Sequence, residues 1–515
     1  MISFQTFCTE SVFNKVDDFH EKWNNALNSS EELRVALDLM KNIKSKFPKG
    51  EIYIVGGVPR DLLKGNDIDD VDMATNIPLD DLSKNFEMRN ISKDDSQPVF
   101  TILWKDYAYD LAKFRTDSGD VGRQNNVSTE TDSFQQDSNR RDLSINAFGL
   151  DADGKIVDYQ GGIDDLINKI VRAVGDPKQR FMEDATRILR VFRFAAKMDF
   201  EIEENTKAAA VELKHLLGDR NAISNESIAK EFYKSAKSGK TLANFLEKLQ
   251  DTGILHDILP EFTAMEGMLH KKIHHPEGNG EVLGHIYECL KVSPYTDPVI
   301  NLAIMVHDFG KAVTQGTGDE GQYTYHGHEG AGVPIVQGIF KRLVFGELSA
   351  EDKTAILDAV DRHMLVHNIG DLSTKTLSKL IHSPSWEVIK AVSYCDEASR
   401  GPAKFDSNEF WKKIKDAEER VHSKMGSTDD ELRLKLKKYI DGNKILAWFP
   451  QVKKDLKKMK EIVPAAHDFI MDELDADREP TDEQLYNLIK DIVGEPVKES
   501  FFFGKFDRQV SNIMQ

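Results

Sequence analysis

The distribution of strand-like segments constrains the fold of this chain more than any other feature. Short β-branched or alternating runs lie at residues 51–55, 71–74, 99–104 and 107–114, and they predict strands there. From about residue 165 onward, nearly every segment has helical periodicity, without convincing strand alternation or an internal repeat. The sequence therefore predicts an α/β domain, with a small mixed sheet and helices, followed by all-α regions.

The 515 residues are too many for one compact core, because single cores stop growing at about 250–300 residues. Glycine-containing breaks at residues 267–280 and 316–321 and around Gly401 suggest boundaries. We predict an N-terminal helical extension (1–45), an α/β domain (46–165), a helical domain (166–265), a histidine-rich block (266–400) and a helical tail (401–515). Residues 116–139 are rich in polar side chains and are predicted to form a mobile loop.

The net charge argues against nucleic-acid binding through bulk electrostatics. The chain has 68 basic and 87 acidic residues, a formal charge of −19, which is the wrong sign for a general attraction to phosphate backbones. Basic residues are concentrated at Arg140-Arg141, in residues 169–197 and in residues 433–460. Any contact with RNA must therefore be local.

The apolar and cysteine patterns predict where the protein works. The longest uncharged apolar run, residues 299–306, is far shorter than the ~20 residues that a membrane span needs. Residues 1–9 lack the features of an export signal, and Cys8, Cys289 and Cys395 have no paired spacing. We expect a cytoplasmic protein without a membrane partner.

Asp70 and Asp72 form a candidate metal site where a strand is predicted to begin. Alternation would put both carboxylates on one face, spaced to share a hard cation such as Mg²⁺. Asp110 lies in a later predicted strand with Ala108 and Ala112 on its face, so it can be the third ligand of a two-metal site for phosphoryl transfer. Such Asp-x-Asp pairs are also common at solvated strand ends, and the pair alone leaves that alternative open.

A glycine turn upstream offers a phosphate-binding element. Residues 54–61 have the pattern of a strand, the turn Gly56-Gly57 and a helix start, where backbone N–H groups can cradle phosphate with Arg60 nearby. The alternative is a tight turn followed by a surface ion pair of Arg60 and Asp61.

Several motifs, in order, resemble one family. Gly56-Gly57-x-x-Arg60-Asp61 followed by Asp70-x-Asp72-x-Ala74-Thr75 resembles the opening motif of the class II tRNA nucleotidyltransferase and bacterial poly(A) polymerase family. Residues 109–115, 140–147 and 153–166 resemble the family's third carboxylate strand, its Arg-Arg-Asp motif and its hinge. Residues 183–194 resemble its nucleotide-selecting helix.

The resemblance implies an α/β nucleotidyltransferase head, a helical neck and a helical tail that contacts tRNA. The implied reaction is template-independent addition of C, C and A to the tRNA 3′ end from CTP and ATP, with Mg²⁺ as cofactor and no role for DNA. Asp70, Asp72 and Asp110 are then the catalytic and Mg²⁺-binding residues. The implied nucleotide-binding residues are Gly56, Gly57, Arg60, Arg140, Arg141, Asp184, Arg187, Arg190 and Arg193.

Asp184 and Arg187 carry the prediction of base selection. Three residues apart on one predicted helix, they are neighbours on its face and can donate and accept hydrogen bonds at base edges. The alternative is an exposed ion pair. Arg193 is predicted to lie on another face, since each step of three turns by about 60°, and it suits a phosphate or RNA contact. Ser227 stands where the family usually has arginine.

A second candidate metal site lies in the histidine-rich block. His285, His307-Asp308 and Asp396 resemble the ligand pattern of HD-domain metal-phosphohydrolases. Imidazole and carboxylate together suit a divalent transition metal such as Ni²⁺ or Mn²⁺. The resemblance implies phosphatase, 2′-nucleotidase or 2′,3′-cyclic phosphodiesterase activity.

Other histidines in the same block are harder to assign. His326, His328 and His363 are candidate accessory ligands or phosphate contacts. For His270, His363 and His367 we keep the interpretation as packed or surface residues, because a single helical histidine is more often one of these than a ligand.

The sequence also leaves other functions open. A poly(A) polymerase of the same family shares the head motifs, and an enzyme that adds only A or only CC would do so too. The chain could also be chiefly an HD phosphohydrolase whose head anchors RNA. A non-enzymatic RNA-binding module would have no reason to keep two sets of metal ligands.

Overall fold

The computed structural model describes residues 19–68, 70–90, 99–117, 128–270, 280–318, 323–401, 403–426, 428–476 and 478–494. The chain divides into two compact units. The first comprises Met1–Met268, Leu290–Asn301 and Gln337–Ser349, and the second comprises Leu269–Cys289, Leu302–Val336 and Ala350–Gln515. The finer five-domain division stays a prediction.

A seven-stranded mixed sheet lies in the first unit. Its strands are β1 (Ile52–Val55), β2 (Asp72–Thr75), β3 (Glu87–Asn90), β4 (Val99–Trp104), β5 (Tyr107–Lys113), β8 (Gly149–Leu150) and β9 (Ile156–Val157), with β6 (Arg115–Asp117) and β7 (Ser128–Glu130) forming a separate pair. The order in the sheet is β3-β4-β5-β2-β1-β8-β9. β2 and β5 are parallel, whereas the other neighbours are antiparallel.

The four predicted strands are present, with small shifts at their ends. β2 begins at Asp72 because Asp70 has a φ of 56°, a left-handed conformation that does not continue a strand. The prediction that alternation places Asp70 and Asp72 on one strand face is therefore wrong. Asp110 lies on β5 as predicted, on the exposed face.

The prediction of a mobile loop over residues 116–139 is wrong for the parts that the structure describes. β6 and β7 pair antiparallel, with Thr116 opposite Thr129. A short helix over residues 134–139 follows. The Ser133 side chain accepts a hydrogen bond from the Gln136 N–H and so caps the start of that helix. Residues 118–127 lie outside the described residues.

Two helices precede the sheet, α1 (Phe19–Ser29) and α2 (Glu31–Lys46). Ser30 caps α2 by accepting a hydrogen bond from the Leu33 N–H, and the acidic first turn and basic last turn suit the helix dipole. The apolar face of α2, including Leu33 and Met40, lies in the same core cluster as Ile54 and Leu111 of the sheet. These helices therefore help to form the core of the α/β region, while residues 1–18 lie outside the described part.

The segment from 183 to 194 is broken into two helices, so the prediction of one continuous helix is wrong. After α3 (Gly57–Lys64), α4 (Leu79–Ser83), α5 (Phe134–Asn139) and α6 (Gly162–Ile167), the chain forms α7 (Pro177–Glu183) and α8 (Thr186–Met198). Asp184 between them has an extended backbone, with φ −150°, and its carboxylate accepts a hydrogen bond from the Thr186 N–H at 3.0 Å. An aspartate that satisfies the N–H groups of a following helix favours a break there.

The rest of the described chain is almost entirely helical, as predicted. The helices are α9 (Glu204–Glu212), α10 (Asn225–Ser235), α11 (Gly239–Asp251), α12 (Ile254–Ile258), α13 (Pro260–Thr263), α14 (Val282–Val292), α15 (Pro298–Val306), α16 (Lys311–Thr314), α17 (His328–Arg342), α18 (Ala350–His367), α19 (Thr374–Ile381), α20 (Trp386–Ala398), α21 (Ser407–Met425), α22 (Asp429–Tyr439), α23 (Gly442–Trp448), α24 (Leu456–Asp475) and α25 (Asp482–Val493). Among the described residues, no helix is both long and apolar enough to span a membrane.

Two pairs of very short strands interrupt this helical region. β10 (Ile170–Val171) pairs in parallel with β11 (Glu201–Ile202), and β12 (Gly316–Thr317) pairs antiparallel with β13 (Tyr323–Thr324). These strands were not predicted, because two residues are too few to show alternation.

A substitution at Gly162, the first residue of α6, tests how closely this helix packs against the backbone of residues 144–146. A Cβ at position 162 would lie 2.2 Å from the Ser144 carbonyl oxygen. We expect Gly162→Ala to lower the free energy of unfolding of the first unit by about 1–3 kcal/mol, since a backbone atom cannot move as easily as a side chain. Gly218→Ala is the control, because nothing lies within 4 Å of its Cβ position. Urea unfolding measures the stability of both variants, and we expect Gly162→Ala to be the less stable one. Equal stability of the two variants would mean that this contact is absent in solution.

Candidate functional site

A cavity of about 980 Å³ in the first unit brings most of the predicted site residues together. The glycine turn, the carboxylates that begin β2, the chain after α5, and helices α8 and α10 all contribute to its wall. The lining residues include Gly56, Gly57, Arg60, Asp70, Asp72, Arg140, Arg141, Asp184, Arg187, Arg190, Arg193 and Ser227.

Asp70, Asp72 and Asp110 form a group of carboxylates centred on Asp72. Burial, followed by the negative charges of Asp70 and Asp110, raises the pKa of Asp72 to about 6. The parallel register pairs Met73 with Leu111, so Asp72 and Asp110 occupy equivalent positions and share a face of the sheet. Asp110 also accepts a hydrogen bond from the Thr101 hydroxyl at 2.9 Å. The group is therefore a concentrated negative charge that a divalent cation would stabilise.

The glycine turn lies directly beside these carboxylates. Gly56 has a φ of 74°, and a Cβ there would lie 3.4 Å from the Asp72 carboxylate. Arg60, three residues into α3, is buried rather than exposed, which excludes the simple surface pair. Its guanidinium donates hydrogen bonds to Asp61 at 2.6 Å and to the side-chain oxygen of Asn146 at 2.6 Å. Arg60 is thereby fixed against the cavity wall.

Two aspartates, Asp137 in α5 and Asp142 shortly after it, hold three arginines of the cavity wall. Asp137, with no exposed surface, binds Arg140 at 3.0 Å and Arg141 at 2.9 Å. Burial acts to raise the pKa of Asp137, but Arg141 and Arg140 lower it below its usual value. Asp142 binds Arg190 at 2.6 Å. Three of the predicted nucleotide-binding arginines are therefore held in place by carboxylates on the same short segment.

Asp184 and Arg187 both line the cavity, although they do not share a helix face as predicted. Asp184 lies in the break between α7 and α8, and Arg187 lies in the first turn of α8. The Arg187 guanidinium donates hydrogen bonds to buried Glu183 at 2.7 Å and to the Arg140 carbonyl at 3.2 Å. These contacts hold Arg187 at a defined place beside Asp184.

Arg193 also faces the cavity, together with Asp184, although the helical angle placed the two residues on different faces. Asp184 lies outside α8, so the angle between successive residues of that helix does not fix its direction relative to Arg193. Arg193 is buried and forms an ion pair with buried Glu231 of α10 at 2.5 Å, and its guanidinium lies 4.4 Å from the centre of the Phe194 ring. Ser227 lies on the same wall.

The cavity is locally basic in a strongly acidic chain. Its lining includes ten lysine and arginine side chains but only six aspartate and glutamate side chains. Burial is the largest cause that lowers the pKa values of Lys197 and Lys234 on this wall. The charge of Arg60 adds to this effect at Lys197, whereas that of Glu231 opposes it at Lys234. A polyanion such as a triphosphate or an RNA backbone would compensate this excess of positive charge.

The second unit contains a buried cluster of histidines and carboxylates. Two groups of side chains each have ligand atoms within 4.8 Å of one another, namely His285, Cys289, His307 and Asp396, and His307, Asp308 and His363. His285 Nε2 lies 3.1 Å from an Asp396 oxygen and 3.7 Å from an Asp308 oxygen. The four predicted ligands are thus brought together.

The carboxylates of this cluster are surrounded by cations and imidazoles. Burial acts to raise the pKa of Asp308, but His307 and Lys311 hold it well below its usual range. Burial acts in the same direction on Asp396, whose pKa is lowered chiefly by His367 and His285. Both groups are therefore ionised at neutral pH and can act as ligands.

The histidines that were interpreted as packed or surface residues lie in or next to this cluster. The His363 ring centre is 5.1 Å from that of His307, and burial followed by the charge of His307 lowers the pKa of His363 to about 3. His367 Nε2 lies 2.8 Å from Asp396, and the buried His270 ring lies 5.4 Å from His285. His363 and His367 lie one turn apart on α18, but their partners His307 and Asp396 come from other parts of the chain, so helical spacing alone could not reveal the cluster.

Family comparisons agree with the fold. Residues 52–172 match the family described as Poly A polymerase head domain, and residues 199–266 match Probable RNA and SrmB- binding site of polymerase A. A CCA-adding enzyme of Enterococcus faecalis is 42% identical over 186 residues, which cover 36% of this chain and 45% of that enzyme. The Multifunctional CCA protein of Neisseria meningitidis serogroup A is 32% identical over 339 residues, which cover 64% of this chain and 76% of that protein.

The chain belongs to the family of CCA-adding tRNA nucleotidyltransferases and bacterial poly(A) polymerases. The crystal structure of Bacillus stearothermophilus CCA-adding enzyme in complex with CTP has the same fold, with a TM-score of 0.60 and 20% identity over 90% of this chain and 98% of that chain. The predicted fold class is confirmed. Several other CCA-adding enzymes are matched over only about half of their length, 45% to 55%.

The sequence analysis missed the acidic residues that position the arginines of this family member. Asp137, Asp142, Glu183 and Glu231 are all largely buried and each contacts at least one arginine of the cavity wall. Asp142 and Glu183 lie inside the motifs at residues 140–147 and 183–194. Membership of these motifs was the signal in the sequence that could have indicated their role. Nothing in the sequence joins Glu231 to Arg193, which is 38 residues away.

The ion pair between Glu231 and Arg193 gives a test of this positioning. We expect Glu231→Ala to lower the free energy of unfolding of the first unit by about 3–5 kcal/mol, because Arg193 would stay buried near Arg190 without its carboxylate. Glu212→Ala removes an exposed pair with Lys178 and should cost less than about 1 kcal/mol.

Urea unfolding of the two variants makes the comparison. The double variant Arg193→Met, Glu231→Leu should recover most of the lost stability, since it removes both charges together. Equal stability of Glu231→Ala and Glu212→Ala would contradict the importance of the buried pair.

Proposed function

We propose that this chain adds C, C and A to the 3′ end of tRNA, using CTP and ATP and releasing pyrophosphate. The observation that carries the proposal is the group of three interacting carboxylates, Asp70, Asp72 and Asp110, next to a cavity with an excess of basic side chains. Membership of the family and relatives named CCA-adding enzymes favour tRNA as the acceptor. A cytoplasmic location is part of this proposal.

The carboxylate group fits Mg²⁺. Its oxygens are the ligands that this cation prefers. Burial, followed by the negative charges of Asp70 and Asp110, raises the pKa of Asp72 to about 6, and a divalent cation would compensate those charges. When bound by Asp70, Asp72 and Asp110, Mg²⁺ would favour ionisation of the RNA 3′-hydroxyl and neutralise charge on the triphosphate.

The basic wall would bind and orient the triphosphate. The N–H groups at Gly56 and Gly57 and the guanidinium groups of Arg60, Arg140 and Arg141 line the same cavity as Asp70 and Asp72. The RNA 3′-oxygen forms a bond to the α-phosphorus as the bond to pyrophosphate breaks. Donors already held by Asp61, Asn146 and Asp137 need little reorganisation, which favours catalysis.

Asp184 and Arg187 are proposed to read the base. Together they offer carboxylate acceptors and guanidinium donors at one place on the cavity wall. Because Arg187 is held by Glu183 and by the Arg140 carbonyl, a change of donors between CTP and ATP would need movement of this group of residues. Arg190 and Arg193 are proposed to contact phosphate or the RNA 3′ end, and the basic segment 433–460 to contact the tRNA elbow.

Product analysis separates this function from its alternatives. The protein is incubated with tRNA that lacks CCA and with CTP, ATP or both, and the 3′ ends are sequenced. Ordered addition of two C residues and one A supports the proposal. A long A tract identifies a poly(A) polymerase, and products that stop at CC, or that need a CC end, identify a partial enzyme.

The carboxylate assignment predicts a loss of at least about 1,000-fold in the rate of addition for Asp70→Ala, Asp72→Ala and Asp110→Ala, since a missing Mg²⁺ ligand removes several kcal/mol of transition-state stabilisation. Single-turnover rates with CTP measure the effect. Asp80→Ala, an exposed aspartate of α4, is the control and should retain the parent rate. Near-parent rates in any of the three variants would exclude that residue as a ligand.

The histidine cluster favours a second activity, hydrolysis of phosphate esters. His285, His307, Asp308 and Asp396 combine imidazole and carboxylate ligands in a buried site. Such a donor set fits a divalent transition metal, which supplies a hydroxide nucleophile at neutral pH when it is bound. We propose 2′-nucleotidase, 2′,3′-cyclic phosphodiesterase or phosphatase activity for this unit.

Metal removal tests this activity separately from nucleotide addition. We expect dialysis against EDTA to abolish hydrolysis of 2′,3′-cyclic AMP, 2′-AMP and p-nitrophenyl phosphate, and Ni²⁺ or Mn²⁺ to restore it. Asp308→Asn should lose hydrolysis but keep CCA addition, while Asp72→Ala should do the reverse. Hydrolysis that survives in Asp308→Asn would assign the activity to another site or to a contaminant.

A further inference from the structure

We infer that Thr101 is a positioning residue for nucleotidyl transfer, because its hydroxyl orients the carboxylate of Asp110 for binding of Mg²⁺. This inference deepens the proposed function and rests on it, since the orientation of Asp110 matters only if that carboxylate is a ligand. No motif in the sequence indicates Thr101. It lies on β4, a strand that contributes none of the three carboxylates.

A hydrogen bond joins the two side chains across neighbouring strands. β4 and β5 are antiparallel, and Thr101 stands directly opposite Asp110. Residues directly opposite each other share a face of the sheet, so Thr101 lies on the face that carries Asp72 and Asp110. Thr101 Oγ1 donates to Asp110 Oδ1 at 2.9 Å, since an ionised carboxylate can only accept. This contact fixes the direction of Oδ1 and with it the plane of the carboxylate.

The exposure of Asp110 explains why an orienting contact is useful there. Asp72 is half-buried beside the glycine turn, whereas Asp110 is exposed to solvent. An exposed side chain can occupy several rotamers, and cation binding requires one of them. The hydrogen bond from Thr101 selects one orientation before the cation binds.

The backbone of Asp110 is already fixed from the opposite face of the sheet. The neighbouring Tyr109 is completely buried, and its hydroxyl donates a hydrogen bond to the Glu32 carbonyl oxygen of α2 at 2.9 Å. Asp38 of the same helix accepts a hydrogen bond from Trp104 Nε1 at 2.9 Å, at the end of β4. Helix α2 therefore holds the β4–β5 hairpin, and the freedom left to Asp110 is in its side-chain torsions.

Threonine is well suited to remove this remaining freedom. Its β-branched side chain is stiff at χ1 and is favoured in strands, so Thr101 presents its oxygen in a defined direction. Hydrogen bonds to metal-binding carboxylates typically contribute about 10–100-fold to metal affinity or activity. A cross-strand pair that only stabilised the hairpin would change the free energy of unfolding without acting through Asp110.

Kinetics of CTP addition test the inference. Thr101→Val removes the hydroxyl but keeps the shape of the side chain, and we expect the maximal single-turnover rate to fall by about 10–100-fold. The KM values for CTP and tRNA should change little, because the hydroxyl contacts neither substrate. Thr101→Ser keeps the hydroxyl and should recover most of the rate. Thr354→Val is the matched control, since it removes the hydroxyl of an exposed threonine of α18, and it should retain the parent rate.

Binding of Mn²⁺ gives a readout that does not depend on catalysis. Metal-free full-length protein is titrated with Mn²⁺, free Mn²⁺ is measured by electron paramagnetic resonance, and binding that is lost in Asp72→Ala is assigned to the carboxylate group. We expect Thr101→Val to weaken this binding by about 10–100-fold, whereas Thr101→Ser and Thr354→Val should keep the parent affinity. In an Asp110→Ala background, Thr101→Val should have no further effect, because the hydroxyl acts only through that carboxylate.

The outcomes separate this inference from a structural role and from the proposed function. A parent-like Mn²⁺ affinity in Thr101→Val would overturn the inference, as would a parent-like rate of addition. A loss that Thr101→Ser does not recover, or that persists in the Asp110→Ala background, would also overturn it and would leave Thr101 as a hairpin-stabilising residue. The proposed function fails on a different result, a parent protein that adds no nucleotide to RNA, and the Mn²⁺ affinities then still decide whether Thr101 positions Asp110.

Discussion

The parallel pairing of β2 with β5 is the contact on which the carboxylate group of Asp70, Asp72 and Asp110 depends. Its register, with Met73 opposite Leu111, brings Asp72 and Asp110 to equivalent positions on one face although they are far apart in sequence. Asp70 reaches the same group by a left-handed backbone turn before the strand. Burial and then the charges of Asp70 and Asp110 raise the pKa of Asp72, so the fold holds together charges that favour a cation between them.

Buried acids explain how a chain with a net charge of −19 presents a basic cavity. Asp142 and Glu231 line the cavity, whereas the buried Asp137 and Glu183 do not. All four compensate arginines whose guanidinium groups would otherwise be too costly to bury together. The remaining donors and the lysines give the wall its excess of positive charge. Local arrangement therefore determines the binding potential here, and net charge does not.

Much of the fold could be predicted from sequence, because strand runs and helical periodicity are local signals. The glycine turn, the Asp110 strand and the helical region were expected for this reason. The failures have local causes too. Asp70 is left-handed, Asp184 accepts a hydrogen bond from the N–H of Thr186 at the start of α8 and so favours a break between α7 and α8, and two-residue strands carry no pattern. The partners of Arg193 and of the buried histidines are long-range, and neither spacing nor propensity encodes such contacts.

The two metal-ligand sets differ in chemistry, and this bears on how one chain can hold two activities. The head set contains only carboxylate oxygens, which suit Mg²⁺, whereas the second unit offers imidazole nitrogens fixed by backbone carbonyls, which suit transition metals. Neither ligand set suits the metal of the other, because each unit positions its own kind of donor atoms. This difference in preferred metal predicts that supply of a transition metal changes the proposed hydrolysis without changing the proposed nucleotide addition.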